Sequence, residues 1–192
     1  PVTRVSGDFY DAPTESIPYI CRYVAGTLKA QLRATGLFGD DPKLSFSMDS
    51  DELRARRIEP ARRTGMVSSI LETPPAANHI SGSYADGFCE LGLDMRWWNG
   101  GSTTIDGRVP LLWDTEHPIP ELAKRGEVSG RANFDRMPLQ AVLAWMAGVV
   151  NVEGILQGSV SAQGSVKNPN FVGSVELTDG RVDVRSVGQT LE

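Results

Sequence analysis

The chain has 192 residues, of which 40% are hydrophobic and 22% charged, and it carries a formal net charge of −5. This length suits one sizeable domain or one stretch of an elongated array. The acidic balance argues against a nucleic-acid partner, because binding to phosphates needs a basic surface.

The sequence begins at Pro1 and shows neither an apolar run of membrane-spanning length nor a signal-peptide pattern at its start. We therefore expect a soluble piece of a larger protein. No stretch is rich enough in Ser or charge to act as an interdomain linker. Residues 1–192 are accordingly predicted to form one continuous β-rich segment.

The first predicted elements are a short helix after Pro18 and two strands. The helix is indicated by apolar residues at helical spacing, which are Tyr19, Ile20, Tyr23 and Val24. Apolar and polar residues alternate from 27 to 36 and again after Pro42, which predicts strands with one apolar and one wet face. The apolar positions are Leu28, Ala30, Leu32, Ala34 and Gly36 in the first run, and Leu44, Phe46 and Met48 in the second.

Two charged clusters follow these strands. Asp49, Asp51 and Glu52 lack the residue order of a calcium-binding loop, so we interpret them as a solvated turn. The basic cluster suits contact with anionic lipid headgroups or with an acidic partner, although a solvated strand edge that discourages aggregation is the commoner role. Its members are Arg54, Arg56, Arg57, Arg62 and Arg63.

The middle of the chain, residues 80–112, is predicted to contain a connecting hairpin. Its first strand has apolar residues on one parity, namely Cys89, Leu91, Leu93, Met95 and Trp97. The turn Asn99-Gly100-Gly101 leads into a second alternating run with Thr103, Ile105, Gly107 and Val109. The tryptophans fit either interface anchors or core packing. They are Trp97, Trp98, Trp113 and Trp145.

The last part of the chain is predicted to contain a helix and then further strands. Pro138 stands at a first helical position, ahead of Leu139, Val142, Leu143 and Met146 at helical spacing, with Gly148 as the end. Residues 154–167 then alternate strictly, with Leu156, Gly158, Val160, Ala162, Gly164 and Val166 on the apolar parity. After Pro169 come Phe171, Gly173, Val175 and Leu177, and Asp179-Gly180 is predicted to form a hairpin turn into Val182 and Val184.

Two parts of the chain repeat this pattern, over about 5–58 and 128–188. Residues Leu28 to Gly36 correspond to Leu156 to Gly164, which lie 128 positions later, and Pro42 aligns with Pro169. Upstream, Val5-Ser6-Gly7 matches Val128-Ser129-Gly130 at an offset of 123. Each unit is thus predicted to open with a strand, pass through a linker and return as two or more strands.

The order Gly154-x-Leu156-x-Gly158, Gly164, Asn168-Pro169, Gly173, Asp179-Gly180, Gly188 resembles the repeats of the TamB family of AsmA-like envelope proteins. The resemblance implies an elongated, curled antiparallel sheet, called a β-taco, with an apolar concave face that can hold lipid acyl chains. It implies the periplasmic part of an inner-membrane-anchored protein of a diderm bacterium, with an outer-membrane barrel of the TamA type as partner. It also implies a role in phospholipid transport, or in assembly of outer-membrane barrels and autotransporters from unfolded substrates.

The apolar parity of these strands supplies the residues expected to line such a groove. They are Leu28, Leu32, Leu44, Phe46, Met48, Leu91, Leu93, Met95, Leu156, Val160, Ala162, Val166, Phe171, Val175 and Leu177. The small residues of the repeated face favour a curved sheet or a lipid-filled groove over a tight sandwich. A structural or adhesive β-solenoid with a sealed core remains the alternative, because every half-buried sheet alternates.

The sequence favours a protein without enzymatic activity or a cofactor. His79 and His117 have no Ser, Cys or carboxylate at a recognised motif spacing, so both are predicted to be surface residues. Cys21 and Cys89 lie outside any zinc-ligand spacing, and both a disulfide and two small, partly buried thiols are compatible with them. A segment of an elongated sheet exposes strand edges, which predicts edge-paired homodimers.

Overall fold

The computed structural model describes residues 4–13, 24–37, 39, 41–59, 69–114, 119–141, 149–184 and 189–191. Thirteen strands account for most of them. They are β1 (Arg4–Pro13), β2 (Val24–Ala25), β3 (Thr27–Thr35), β4 (Lys43–Glu59), β5 (Ser69–Glu72), β6 (Ala76–Ala85), β7 (Phe88–Trp97), β8 (Ser102–Leu112), β9 (Glu121–Leu122), β10 (Glu127–Pro138), β11 (Val149–Ser165), β12 (Asn168–Val184) and β13 (Gln189–Leu191).

The strands form a single antiparallel sheet in the order β1-β3-β4-β6-β7-β8-β10-β11-β12-β13. Three short strands branch from this path, since β2 and β5 pair with β4 and β9 pairs with β8. The sheet remains open, with β1 and β13 at the two ends of the path. The predicted mainly β, antiparallel architecture is therefore confirmed.

Tight turns join the central strands. Asp86 and Gly87, with φ of 50° and 78°, connect β6 to β7, and both values lie in the left-handed region that two-residue hairpin turns require. In the next turn, Asn99 Oδ1 accepts a hydrogen bond of 2.9 Å from the Gly101 amide, and the Trp97 amide donates to the Gly101 carbonyl. The hairpin predicted around Asn99-Gly100-Gly101 is thus confirmed.

The strands of the two repeated sequences pair in the same way. Ala34 lies opposite Leu44, and its counterpart Ala162 lies opposite Phe171. The pairing of β1 with β3 is interrupted after Phe9, and that of β10 with β11 is interrupted at the matching place after Phe134. The opening strands differ from the sequence alignment. Val5 pairs with Ala34 and Gly130 pairs with Ala162, so the structural offset there is 125 and not 123.

The predicted helix after Pro138 is wrong at its start. Pro138 is the last residue of β10, and residues 139–141 form one 3₁₀ turn, while Val142, Leu143, Met146 and Gly148 lie outside the described residues. Pro138 pairs with Ile155 on β11, so strand pairing prevails over the local preference for a helix start. The helix predicted after Pro18 lies outside the described residues, except that Val24 belongs to β2.

Two predicted turns are strand residues instead. Asp179 and Gly180 lie within β12, where the two of them stand opposite the single residue Gly154 between the pairs Glu153–Arg181 and Ile155–Thr178. They form a β-bulge, because Asp179 adopts a φ of 53° without reversing the chain. The cluster of Asp49, Asp51 and Glu52 belongs to β4, where Asp49 pairs with Lys29 and His79.

The best-buried side chains gather near the two ends of the strands. At one end, Ala76, Trp97, Met137 and Ala141 form a buried cluster that also contacts Met95, Phe134 and Leu156. At the other end, the rings of Tyr84 and Trp113 pack with their centroids 5.0 Å apart. The apolar side chains midway along the strands are therefore the least enclosed.

Candidate functional site: the apolar face of the sheet

Strand register brings the predicted apolar residues of the first half together on one face. Residues that lie directly opposite in an antiparallel pair project to the same side of the sheet. Leu32 pairs with Phe46, Phe46 with Gly82 and Gly82 with Leu91. The next row runs through Ala30, Met48, Ile80, Leu93 and Ile105. The apolar parities of β3, β4, β6, β7 and β8 thus form one surface.

The same surface continues across the second half. Ile105 pairs with Ala132, Ala132 with Val160 and Val160 with Gly173. On this parity β11 also carries Leu156 and Ala162, which lie opposite Leu177 and Phe171. We call this surface the apolar face. The predicted residues that register places on it are Leu28, Leu32, Leu44, Phe46, Met48, Leu91, Leu93, Met95, Leu156, Val160, Ala162, Phe171, Val175 and Leu177.

Val166 is the member of the predicted set that lies off this surface. It belongs to the two-residue turn between β11 and β12, and its amide donates a hydrogen bond of 3.2 Å to the Gly126 carbonyl. Ile80, Tyr84, Ala132 and Phe134 were missed by the prediction and do lie on the face. Asp86-Gly87 after an alternating run was the sequence signal that could have identified β6.

The apolar face stays partly open to solvent. Its residues in β4 and β11 are half-buried, whereas Leu91 and Ile105 expose 47% and 39% of their surface. In β12 exposure rises further, to 66% for Phe171 and 50% for Leu177. Apolar side chains of this size are normally covered in a folded protein, so an exposed row of them indicates a contact surface.

A band of small residues crosses the middle of this face. Gly82, Gly107 and Gly130 lie in one row with Leu91 between the first two, and the row continues to Ala162. The Phe46 ring covers Gly82, where an added Cβ would collide with it. Gly107 and Gly130 have no side chain and leave the backbone uncovered. This suits the close approach of an extended apolar ligand.

Two hollows lie on the opposite, polar face. A cavity of about 810 Å³ is lined mainly by polar residues of β6, β7, β8, β10 and β11, among them Asp106, Arg131 and Ser161, which pair in that order. A second cavity, of about 630 Å³, includes Asp49, His79 and Asp94. Both hollows are lined mainly by polar residues, and an apolar concave face stays a prediction.

Charges on the polar face are paired across strands. Arg108 Nε lies 3.5 Å from Glu90 Oε1, and the Arg108 guanidinium carbon lies 3.8 Å from the centroid of the Phe88 ring. His79 Nδ1 lies 2.6 Å from Asp49 Oδ1, and both side chains are exposed. The sequence did not predict this contact. A catalytic triad needs a nucleophile at the other ring nitrogen, and the described residues place no hydroxyl or thiol in hydrogen-bonding contact with His79. His117 lies outside the described residues.

Cys89 carries a free, half-buried thiol on the apolar face, where it lies between Tyr84 and Val109. Burial, followed by the charge of Glu90, raises the pKa of this thiol. Cys21 lies outside the described residues. Of the basic cluster, Arg54 is exposed in β4, Arg56 and Arg57 belong to the same strand, and Arg62 and Arg63 lie outside the described part of the chain.

Within the described ranges, no cluster of three His, Cys, Asp or Glu side chains could hold a metal ion. No helix there has both the length and the hydropathy of a membrane span. Comparison with models of protein families, with curated proteins and with solved structures gives no match to this chain.

Proposed function

We propose that this chain is a non-enzymatic segment of an envelope-biogenesis protein that holds phospholipid acyl chains on its apolar face. The observation that supports this most directly is the apolar parity that continues from β1 to β12, with Ser50, Asn78 and Thr103 as polar members near one end of the strands. It remains solvent-accessible at Leu91, Ile105, Phe171, Val175 and Leu177. Such a surface binds a ligand by burying apolar area and requires no specific polar contact. It therefore suits a ligand with long methylene chains.

The dimensions of the face fit this ligand. The path from β1 to β12 contains nine strands, and at about 4.8 Å between neighbours they span about 38 Å. One leaflet of a bilayer is about 15 Å of hydrocarbon thick, half of the usual core. Each buried methylene contributes about 0.8 kcal/mol, so a chain that covers several strands would be held without a specific headgroup site.

The resemblance to the TamB family supplies the proposed cellular setting. In that setting the segment is the periplasmic part of an inner-membrane-anchored protein and works with an outer-membrane barrel of the TamA type. The cargo is phospholipid on its way to the outer membrane. Unfolded barrel or autotransporter strands, which also alternate between apolar and polar residues, are the second cargo that such a surface suits.

A structural solenoid with a sealed apolar core is the competing function. The buried Tyr84 and Trp97, which enclose the two ends of the face, favour it. The two functions differ in whether the middle of the face is accessible to a ligand. Val160 tests this directly because it is half-buried at mid-face, between Ala132 and Gly173.

The experiment compares Val160→Arg with Gln157→Arg. Gln157 is exposed on the opposite parity of the same strand, so it controls for the added charge. Lipid is extracted from each purified protein and quantified by mass spectrometry, while thermal unfolding reports the fold. We expect wild type and Gln157→Arg to retain lipid and Val160→Arg to lose it while remaining folded. Unfolding of Val160→Arg together with a lipid-free wild type would replace this proposal with the sealed solenoid.

A further inference from the structure

The hollow of about 810 Å³ on the polar face is a trough that crosses five neighbouring strands, from β6 to β11. Gly82, Leu91, Gly107 and Gly130 pair in this order across it and, being on the apolar parity, present only their backbone to the polar face. A row of polar side chains stands on either side of this backbone floor. Strands about 4.8 Å apart make the trough about 19 Å long, and rows two residues apart make it about 7 Å wide. This shape fits an extended chain that lies across the strands.

The charges that line the trough cancel. One row contains the ion pair between Glu90 and Arg108, and the other contains Asp106 directly opposite Arg131. Among the described residues that line the trough, these four are the charged ones, so its net charge is zero although the whole chain carries −5. A polyanion would meet the two carboxylates and a polycation the two guanidinium groups, so an uncharged ligand is the best match.

The side chains of Asp106 and Arg131 can both hydrogen-bond to a ligand. Both residues are exposed, and within the described ranges neither takes part in an ion pair. A carboxylate accepts through two oxygens, and a guanidinium donates through five N–H groups. Beside them the trough holds short side chains whose hydroxyls both donate and accept, namely Ser81, Ser83, Ser129 and Ser159. The trough therefore offers hydrogen-bond donors and acceptors side by side.

We propose that this trough binds a neutral oligosaccharide, which lies across strands β6 to β11. A sugar hydroxyl both donates and accepts, so neighbouring hydroxyls of one ring can donate to both oxygens of Asp106 or accept from two N–H groups of Arg131. An extended peptide suits the site less well, because its backbone groups pair with the edge of a sheet and not with its face. The apolar face lies on the other side of the sheet, so this inference is independent of the lipid proposal.

Calorimetric titration with three linear neutral sugars, maltohexaose, cellohexaose and chitohexaose, tests the ligand class. Asp106→Ala and Arg131→Ala remove the two proposed contacts. Asp8→Ala and Arg33→Ala are the matched controls, because they delete the same charges at exposed positions of the polar face, on β1 and β3 outside the trough. A heparin-derived hexasaccharide serves as the anionic comparison, and thermal unfolding shows whether each variant is folded.

We expect at least one neutral sugar to bind with an affinity that salt leaves unchanged, because its binding releases no counterions. Asp106→Ala and Arg131→Ala should each raise its Kd about tenfold, a usual effect of losing a hydrogen bond to a charged group, while both controls bind like wild type. Ser129→Tyr, which fills the trough, should abolish binding, and Ser45→Tyr at an exposed serine of β4 should not. The two tyrosine variants decide the result if an alanine variant unfolds.

No binding by any of the three sugars, or binding that survives Asp106→Ala, Arg131→Ala and Ser129→Tyr, would overturn the proposal. Tighter binding of the heparin hexasaccharide that weakens steeply with salt would replace the neutral ligand with an anionic one. Phospholipid retained by the same preparations, measured by mass spectrometry, should be equal in wild type and in the trough variants. A failure of this proposal is thereby distinguished from a failure of the lipid proposal.

Discussion

The ring of Phe46 lies directly on Gly82, its partner across the β4–β6 pair, and the Leu91 side chain comes within 3.0 Å of the place that a Cβ of Gly82 would occupy. Gly82→Ala should therefore lower the free energy of unfolding by about 1–3 kcal/mol, the usual cost of overpacking. Urea denaturation measures it. Gly107→Ala is the control, because its nearest neighbour would be 3.8 Å away. If Gly82→Ala lowers the free energy of unfolding as much in a Phe46→Leu protein as in the wild type, contact with the Phe46 ring is not the cause of the loss.

The hydrogen bond between Trp97 and Thr103 should stabilise the end of the β7–β8 hairpin. The indole Nε1 donates to Thr103 Oγ1 at 2.9 Å, and both residues are buried. Thr103→Val retains the shape but leaves the indole donor unpaired, which should cost about 1–3 kcal/mol of unfolding free energy. Thr103→Ser keeps the hydroxyl and serves as the comparison. A Thr103→Val protein that is no less stable than Thr103→Ser would show that the bond contributes nothing.

The thiol of Cys89 should react slowly in the folded protein. The thiolate is the reactive form, and burial together with Glu90 raises its pKa. In a Cys21→Ser protein, the alkylation rate should reach half its maximum at a higher pH than in the same chain unfolded in urea, whose single thiol ionises at about pH 8.5. Glu90→Gln should recover only part of the difference, because burial is the larger cause. Identical pH profiles in the folded and unfolded chains would contradict this environment.

The raised pKa of this thiol also makes the free energy of unfolding depend on pH. Because the folded pKa lies above the unfolded value, the folded state holds the thiol proton more tightly than the unfolded state. The stabilisation that results from this tighter proton binding is fully present below the unfolded pKa and is lost as pH rises through the folded pKa. Cys89→Ser should therefore flatten part of the decline in stability between about pH 8.5 and the folded pKa. An unchanged pH dependence in this variant would assign the decline to other groups.

Strand pattern and face could be predicted from the sequence wherever alternation is strict. The antiparallel pairing of β11 with β12, with Leu156, Val160, Phe171 and Val175 on one face, follows from period-two alternation and is confirmed by the register. The Asn99-Gly100-Gly101 hairpin is equally local. Both hairpins depend on residues that are close in the chain. In each, the turn residues and the alternation of the flanking strands predict one and the same strand pairing.

Features that depend on a distant partner were predicted poorly. Asp179-Gly180 has the composition of a turn, yet a left-handed Asp beside a Gly also suits a bulge, and only the pairing with Gly154 decides between them. Pro138 begins helices and also ends strands, and its pairing with Ile155 is not visible in the sequence. The hollow on the polar face was missed because the curvature of a sheet is a property of many strands together.

Apolar ligands should contact the apolar face and not the polar one, and two adjacent residues of β8 distinguish the two faces. Ile105 is 39% exposed on the apolar face, and Asp106 is exposed on the other. A photoreactive amino acid is introduced at each position, the protein is illuminated with phospholipid vesicles, and adducts are measured by intact-protein mass spectrometry. We expect lipid adducts at position 105 and none at position 106. No adduct at 105, or equal adducts at both positions, would contradict the proposed function.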